Sequence, residues 1–252
     1  MKLFIVIPVI NLWSKYTKNC IDCIQSKYLD KVVIINNAST DETSEECRKL
    51  DKNKFLVIDN ADRQSCAKSW NQGCDFAFGM GADYVAIINN DTLFHPTTFD
   101  KLVEFLENHK EYSCVSSWDI GQLWKPSASS VSKEYMDMAV VPIEKFEYKE
   151  LNYSCFVVSK GCWEKVGRFD EEFKPAYFED LDYRYRMQLV GEKVCTLESS
   201  IFYHYGSKTQ KDALGDGKLM CPSPQFEINR GYFKRKWGGS PGQETFKTPF
   251  NK

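Results

Sequence analysis

"YVAIINNDTLFHP", residues 84–96, sets an unbroken apolar run against two amides and a carboxylate. Val85 to Ile88 reads as a strand buried on both faces. Asn89, Asn90 and Asp91 end it, and apolar residues resume at Leu93. Two readings compete. A turn capped by Asp91 needs only local side-chain-to-backbone hydrogen bonds. A carboxylate held at the end of a buried strand is also well placed to grip a hard divalent cation.

Similar runs lie on either side. Strands are expected at 3–9, 31–36, 55–59, 84–89 and 113–118, with helical patterns between them at 13–28, 41–50, 65–78 and 97–109. In 13–28, Trp13, Tyr16, Cys20, Ile24 and Tyr28 share a stripe; in 97–109, Phe99, Leu102, Val103, Phe105 and Leu106 do. Strand–helix alternation predicts an α/β chain: a single Rossmann-like, mostly parallel sheet flanked by helices. Ligands on such sheets sit at the carboxyl ends of the strands. The pattern breaks at 119–150, a stretch expected to be a long loop or inserted hairpin. It resumes over 152–173, a helix at 178–191 and a strand at 193–206. An irregular stretch, 207–223, precedes a final amphipathic helix in "PQFEINRGYFKRKWGG". The organisation expected is one domain over 1–206, in two halves at 1–118 and 119–206. A basic C-terminal extension, 207–252, follows.

The chain has 252 residues, enough to bury a large core, and 14% of them are aromatic, which suits an ordered protein. No run of about 18 apolar residues is present, so no membrane span is expected. "LFIVIPVI" lacks a small-residue cleavage site and reads as the first strand rather than a signal segment. Ten cysteines show no disulfide framework. Cys20 and Cys23 form a lone C-x-x-C whose thiols are expected to lie reduced on a helix face. Sequons occur at Asn37, Asn90 and Asn152, two of them inside the candidate site, where glycans would interfere. A cytoplasmic location is expected, peripheral at the inner membrane face if the tail binds lipid. That tail, 208–252, holds nine Lys/Arg against four acids, net +5, while the whole chain is −2. It suits an anionic membrane, a nucleic acid, or simply a solvated face.

No glycine occurs before Gly73, which excludes both a Rossmann glycine loop and a phosphate-cradling P-loop after the first strand. If nucleotide phosphates bind, side chains and a metal must neutralise them. Asp91 can contribute a carboxylate, and His204 in "FYHYG" a nitrogen ligand, which suits Mn²⁺ as well as Mg²⁺. A lone histidine is as readily structural. In "INNASTDET", Ser39 or Asp41 can cap a helix while the loop lies where ligands dock.

Taken together, these segments resemble family 2 glycosyltransferases, whose fold is the A-type nucleotide-diphospho-sugar transferase fold. The resemblance spans about residues 2–205. "IPVIN" is similar to the family's first strand, "INNASTDET" to its D-N-x-S-x-D loop and "AKSWNQG" to A-x-x-R-N-x-G. "NNDT" stands at its D-x-D motif. "GRFDEEF" and "FEDLDYRYR" resemble its G-x-F-D-E-x-F and E-D-x-D segments. The resemblance implies a donor pocket of Pro8, Val9, Asn36, Ser39, Asp41, Trp70, Asn71, Asn89 and Asn90. It implies a metal held by Asp91 and His204, and Asp180 as catalytic base with Glu179 and Asp182 alongside. Acids in a helix's first turn are otherwise ordinary.

The chain departs from the family at Asn89 and Asn90 in D-x-D, at Asn36 for the base-binding acid, and at Trp70 for an arginine. The processive Q-x-x-R-W motif is missing, which favours transfer of one sugar. The expected reaction is inverting, metal-dependent transfer of a hexosyl or deoxyhexosyl group from a nucleotide-diphosphate sugar to a hydroxyl. The acceptor would be a glycan, a lipid-linked sugar or a modified nucleobase. Trp118, Trp124 and Tyr177 are candidates to stack on a sugar ring, and 119–150 and 206–223 to form acceptor walls and a lid. A nucleotidyltransferase would need glycines where "PVINLWSK" stands, and a metal hydrolase would need more acids. The alternative class is a non-catalytic nucleotide-sugar or carbohydrate-binding protein of the same fold.

Overall fold

The computed structural model describes residues 1–122, 146–147, 151–206 and 224–252. Most of the expected acceptor walls and lid, and Trp124, fall outside them. Among the described residues nine strands form one sheet: β1 (Leu3–Val9), β2 (Leu29–Asn37), β3 (Phe55–Asn60), β4 (Tyr84–Ile88), β5 (Thr92–Phe94), β6 (Tyr112–Asp119), β7 (Phe146–Glu147), β8 (Cys155–Ser159) and β9 (Lys193–His204). Their order is β3-β2-β1-β4-β8-β6-β9-β5, with β7 paired to β9. The first four are parallel, as the alternation predicts. Beyond them the sheet is mixed, because β8 enters antiparallel between β4 and β6 while β9 runs parallel to β6. The sequence could not reveal that reversal. A strand buried on both faces shows the same apolar run in either direction.

The helices are α1, a π turn at Trp13–Thr17 continuing as Lys18–Asp22, then α2 (Thr43–Lys49), α3 (Cys66–Gly79), α4 (Thr98–Asn108), α5 (Lys160–Val166), α6 (Glu179–Leu189) and α7 (Pro224–Trp237). The helix expected over 13–28 stops at Asp22. Lys27 and the Ser26 hydroxyl donate to Asp100 of α4, and Tyr28 accepts from Leu3, which steers the chain into β2.

Period-two alternation along β1 splits the core. Leu3, Ile5 and Ile7 pack with Phe99, Leu102 and Val103 of α4. Phe4 and Val6 pack on the other face with Ala67, Trp70 and Cys74 of α3. Each such fully buried apolar side chain contributes about 1.5–3 kcal/mol relative to exposure. Ser65 caps α3 by accepting from the Lys68 amide. Gly73 lets the helix lie close on β1, since a Cβ there would stand 2.3 Å from Val6 Cγ1.

The C-terminal segment is built into the domain. Phe233 and Trp237 of α7 join Phe173, Phe178 and Tyr185 in a third apolar cluster. Lys236, only 6% exposed, lies 2.6 Å from both Asp170 and Asp182. Part of "YFKRKWGG" therefore faces inward, contrary to a tail offered whole to membrane or DNA. Its Phe, Lys and Trp serve the core, while Lys234 and Arg235 stay exposed.

Candidate active site

The knot at 89–91 is resolved by a strand that the sequence reading missed. Immediately after Asp91 the chain forms β5, which pairs antiparallel with β9 and sets Thr92 opposite His204. The Tyr205 amide donates to the Asp91 carbonyl at 3.0 Å. The side chains follow: His204 Nε2 lies 3.2 Å from Asp91 Oδ1, and its Nδ1 lies 3.2 Å from Ser154 Oγ. The His204 amide donates to Asp119 at 3.3 Å. Burial opposes the charged imidazole, but the Asp91 hydrogen bond and charge, with Asp119, outweigh it and raise the His204 pKa. Two residues 113 positions apart, chosen separately from sequence, are thus brought together.

A carboxylate oxygen and an imidazole nitrogen at this separation fit a hard or borderline divalent cation. Among the described residues no third His, Cys, Asp or Glu completes a protein cage. That suits Mg²⁺ or Mn²⁺ completed by substrate phosphates and water better than a structural metal.

Asp91 lines a cleft of about 140 Å³ at the carboxyl ends of β1, β2 and β4. Pro8, Val9, Trp70, Asn89 and Asn90 line it too, as do Ile10, Asn37, Arg63, Gln64, Cys66, Ser69, Pro175 and Ala176. Asn90 donates to Thr17 Oγ1 at 2.9 Å, which ties α1 to the cleft wall. The Trp70 indole N–H is buried without a hydrogen-bond partner, an uncompensated donor at the cleft.

Other candidates lie elsewhere. Asn36 donates to Ser44 at 2.8 Å and to Asp59 at 2.6 Å, and its neighbour Asn37 lines the cleft instead. Consecutive strand residues point to opposite faces, so naming a donor-pocket residue on a strand is sensitive to a single position. Ser39 accepts from the Asn11 amide at 2.9 Å and Asp41 from the Leu12 amide at 2.6 Å. They clamp the β1–α1 loop, where Asn11 and Leu12 have positive φ, and Asp41 also accepts from the Thr43 amide. Asn71 bonds Phe169 through both its amide nitrogen and its oxygen, and Glu171 as well. These four side chains hold loops and do not line the cleft. Nor do Trp118, packed near Ile201 and Tyr203, or Tyr177, edge-on to Phe226.

The acids of α6 divide. Tyr177 and Phe178, just before the helix, have φ of 80° and 77°, a left-handed conformation strained for aromatic residues. Glu179 is 4% exposed, and its Oε2 has no partner. Burial and the neighbouring Asp180 charge push its pKa well up, so it holds its proton far more tightly than an ordinary carboxyl. Asp180 is partly exposed, and its Oδ1 accepts from the Leu181 amide at 2.8 Å. Asp182 is fully buried, with Lys236 and the Trp237 indole on Oδ1 and Arg186 on Oδ2. It ties α7 to α6, with both of its carboxylate oxygens engaged inside the chain.

Sequence reasoning missed Asn37, Arg63, Gln64, Cys66 and Ser69. Applying the strand-end rule to β3 would have pointed to Arg63 and Gln64.

A profile for glycosyl transferase family 2 matches residues 4–163, from β1 into α5. The chain belongs to that family. Its fold is shared by a mannosyltransferase from Pyrobaculum calidifontis, solved with GDP-Man and Mn²⁺, at 16% identity and TM-score 0.62, over 81% of this chain and 56% of that one. S. aureus TarS 1–349, solved with UDP, matches at 17% identity and TM-score 0.59, over 81% and 60%. GalNAc-T7, solved with UDP, GalNAc and Mn²⁺, matches at 15% identity and TM-score 0.61, over 81% and 44%. The chain thus spans about half the length of these proteins. Among curated proteins none matches it in sequence. The class defined by family and fold is an A-type glycosyltransferase. Asp180 and His204 lie beyond the matched residues.

Proposed function

We propose that this chain moves one sugar, of hexosyl or deoxyhexosyl type, from a nucleotide-diphosphate sugar to an acceptor hydroxyl, with inversion at the anomeric carbon. The observation that carries the reading is the Asp91–His204 pair, 3.2 Å apart, one member lining a cleft at the strand ends. The mannosyltransferase and GalNAc-T7 structures are both described with Mn²⁺ and a nucleotide or nucleotide sugar, which supports a metal-assisted donor site. Asp91 and His204 would hold Mn²⁺ or Mg²⁺. Bound there, the ion would offset charge on the departing diphosphate.

The chain's own residues do the rest. Asn90, fixed to Thr17, and Pro8 and Val9 of β1 shape the donor wall. Asp180 takes the proton of the acceptor hydroxyl as that oxygen attacks the anomeric carbon from the face opposite the leaving group. A positioned base of this kind is worth roughly 10²–10⁴-fold. Beside it, burial and the Asp180 charge raise the Glu179 pKa, which favours the protonated carboxyl next to Asp180.

No helix among the described residues is long and apolar enough to cross a membrane. The nine described cysteines are unpaired, which supports a reducing, cytoplasmic setting. A glycan, a lipid-linked sugar or a modified nucleobase would each supply the hydroxyl, and exposed Lys234 and Arg235 could meet an anionic acceptor. The test is donor hydrolysis: a panel of nucleotide sugars is incubated with and without Mn²⁺, and released nucleoside diphosphate is measured. Metal-dependent release from at least one donor is expected. No release, with no metal-dependent thermal shift, would instead favour a non-catalytic binding protein.

A further inference from the structure

Two consecutive aromatic residues hold a backbone conformation that glycine usually supplies. Tyr177 and Phe178 have φ of 80° and 77°. Such a bend persists only where its surroundings fix it. Its place in the chain gives it weight. Pro175 and Ala176, just before it, line the cleft, and Glu179 and Asp180, just after it, open α6.

The bend is held from two sides. The Cys66 amide, at the start of α3, donates to the Pro175 carbonyl at 2.8 Å. From α7, the Asn229 side-chain nitrogen donates to the carbonyls of Ala176 at 2.9 Å and Tyr177 at 3.1 Å. Asn229 is only 1% exposed, and Gln225, one turn earlier on α7, donates to its side-chain oxygen at 3.3 Å. That bond turns the nitrogen end of the amide toward the bend. Around it, Phe226 and Phe233 pack on Phe178, and Phe226 meets Tyr177 edge-on. An amide inside an aromatic cluster is costly to bury unless it is bonded. A residue that only filled this space would be apolar; this one spends its donors on two carbonyls of the bend.

We propose that Asn229 is a positioning residue: it fixes the left-handed bend at 177–178 and so sets where the Asp180 carboxylate stands relative to the cleft. This role rests on the reading of Asp180 as base. It adds a control from the C-terminal helix, outside the segment matched to the family. Without the amide, two carbonyls lose their donor and the bend is released to relax toward negative φ. The first turn of α6 would shift with it, and a displacement of about 1 Å at a reacting group costs up to roughly 10²-fold in rate.

The test is kinetic and uses the full chain. Mn²⁺-dependent release of nucleoside diphosphate is measured from UDP-glucose, GDP-mannose and dTDP-glucose, with water in place of the acceptor hydroxyl. The donor turned over fastest is then used to compare the parent with Asn229→Ala, Asn229→Ser, Asp180→Asn and the Asn229→Ala/Asp180→Asn double variant, each checked for folding by circular dichroism melts. Asn229→Ala should lower kcat about tenfold or more with the donor KM changed less than about threefold. In the double variant it should add less than about twofold to the Asp180→Asn loss, because a residue that acts through Asp180 then has nothing left to position. A kcat for Asn229→Ala within about twofold of the parent, or a loss that multiplies in full on that of Asp180→Asn, would overturn the proposal. If Asn229→Ala does not fold, Asn229→Ser, which keeps a single donor, is judged by its own kcat in the same way; if neither folds, Asn229 serves only the fold and the proposal is overturned. A slow Asp180→Asn beside an unimpaired Asn229→Ala would end this inference and leave the base reading standing. Parent-like release by Asp180→Asn, or no release by the parent, would end both.

Discussion

Two buried acid–base assemblies stand in this molecule, and their difference separates scaffold from chemistry. Around Asp182, every partner is internal: Lys236, Arg186 and the Trp237 indole occupy both carboxylate oxygens, with Asp170 and Tyr232 completing the set. Around Asp91, one oxygen meets a histidine that is steered from behind by Ser154, and the carboxylate lines a cleft. Both are acids held in place by distant chain. The first is closed on itself and fastens α7 to α6. The second presents a carboxylate at a strand-end cleft with an imidazole bonded to it, the arrangement a cation and an anionic ligand need.

The sharpest way to break the comparison lies within α6. Asp180→Asn should lower transfer by about 10²–10⁴-fold while donor affinity changes less than about twofold. Asp182, two residues on, should act on folding instead. A transfer rate within threefold of the parent for Asp180→Asn would remove it as the base. Next comes Lys236→Met, which takes the buried cation from Asp170 and leaves Asp182 with Arg186 as its remaining cation. Removing one partner of a buried pair costs about 3–5 kcal/mol, or a melting temperature lower by roughly 10 °C for a chain of this size. Thermal denaturation reads it directly, and an unchanged melt would mean that the assembly is not structural. Smallest is Ser154→Ala, which frees the rear of His204. Partners of this kind usually tune metal affinity by about 10–100-fold. Mn²⁺ titration should show that loss with the fold intact, and no loss would detach Ser154 from the site.

How much of this was legible in the sequence follows the same division. The parallel half, β1 to β4, could be read because each strand is an apolar run followed by a helical stripe. Asp91 and His204 could be named because their residue types stand out at strand ends. What pairs them is β5, three residues long, too short for any periodic signal. Asn37, one residue on from Asn36, is the one that lines the cleft, since a two-residue period turns neighbouring side chains to opposite faces. Asp182 looked like Asp180 because both are first-turn acids. Only the packing of α7, distant in sequence, shows that Lys236 consumes one and not the other. Ser39, Asp41 and Asn71 belong to the same class: polar residues in loops, whose internal partners cannot be seen until the loops are folded.

The central claim is that Asp91 and His204 jointly hold a divalent cation against a nucleoside diphosphate. A crystal grown with Mn²⁺ and a nucleoside diphosphate, recorded at the manganese absorption edge, tests it most directly. The account predicts an anomalous peak bound to both the Asp91 carboxylate and the His204 imidazole and touching the diphosphate. Nucleotide in the cleft with no peak there, and Asp91 still bonded to His204, would contradict it.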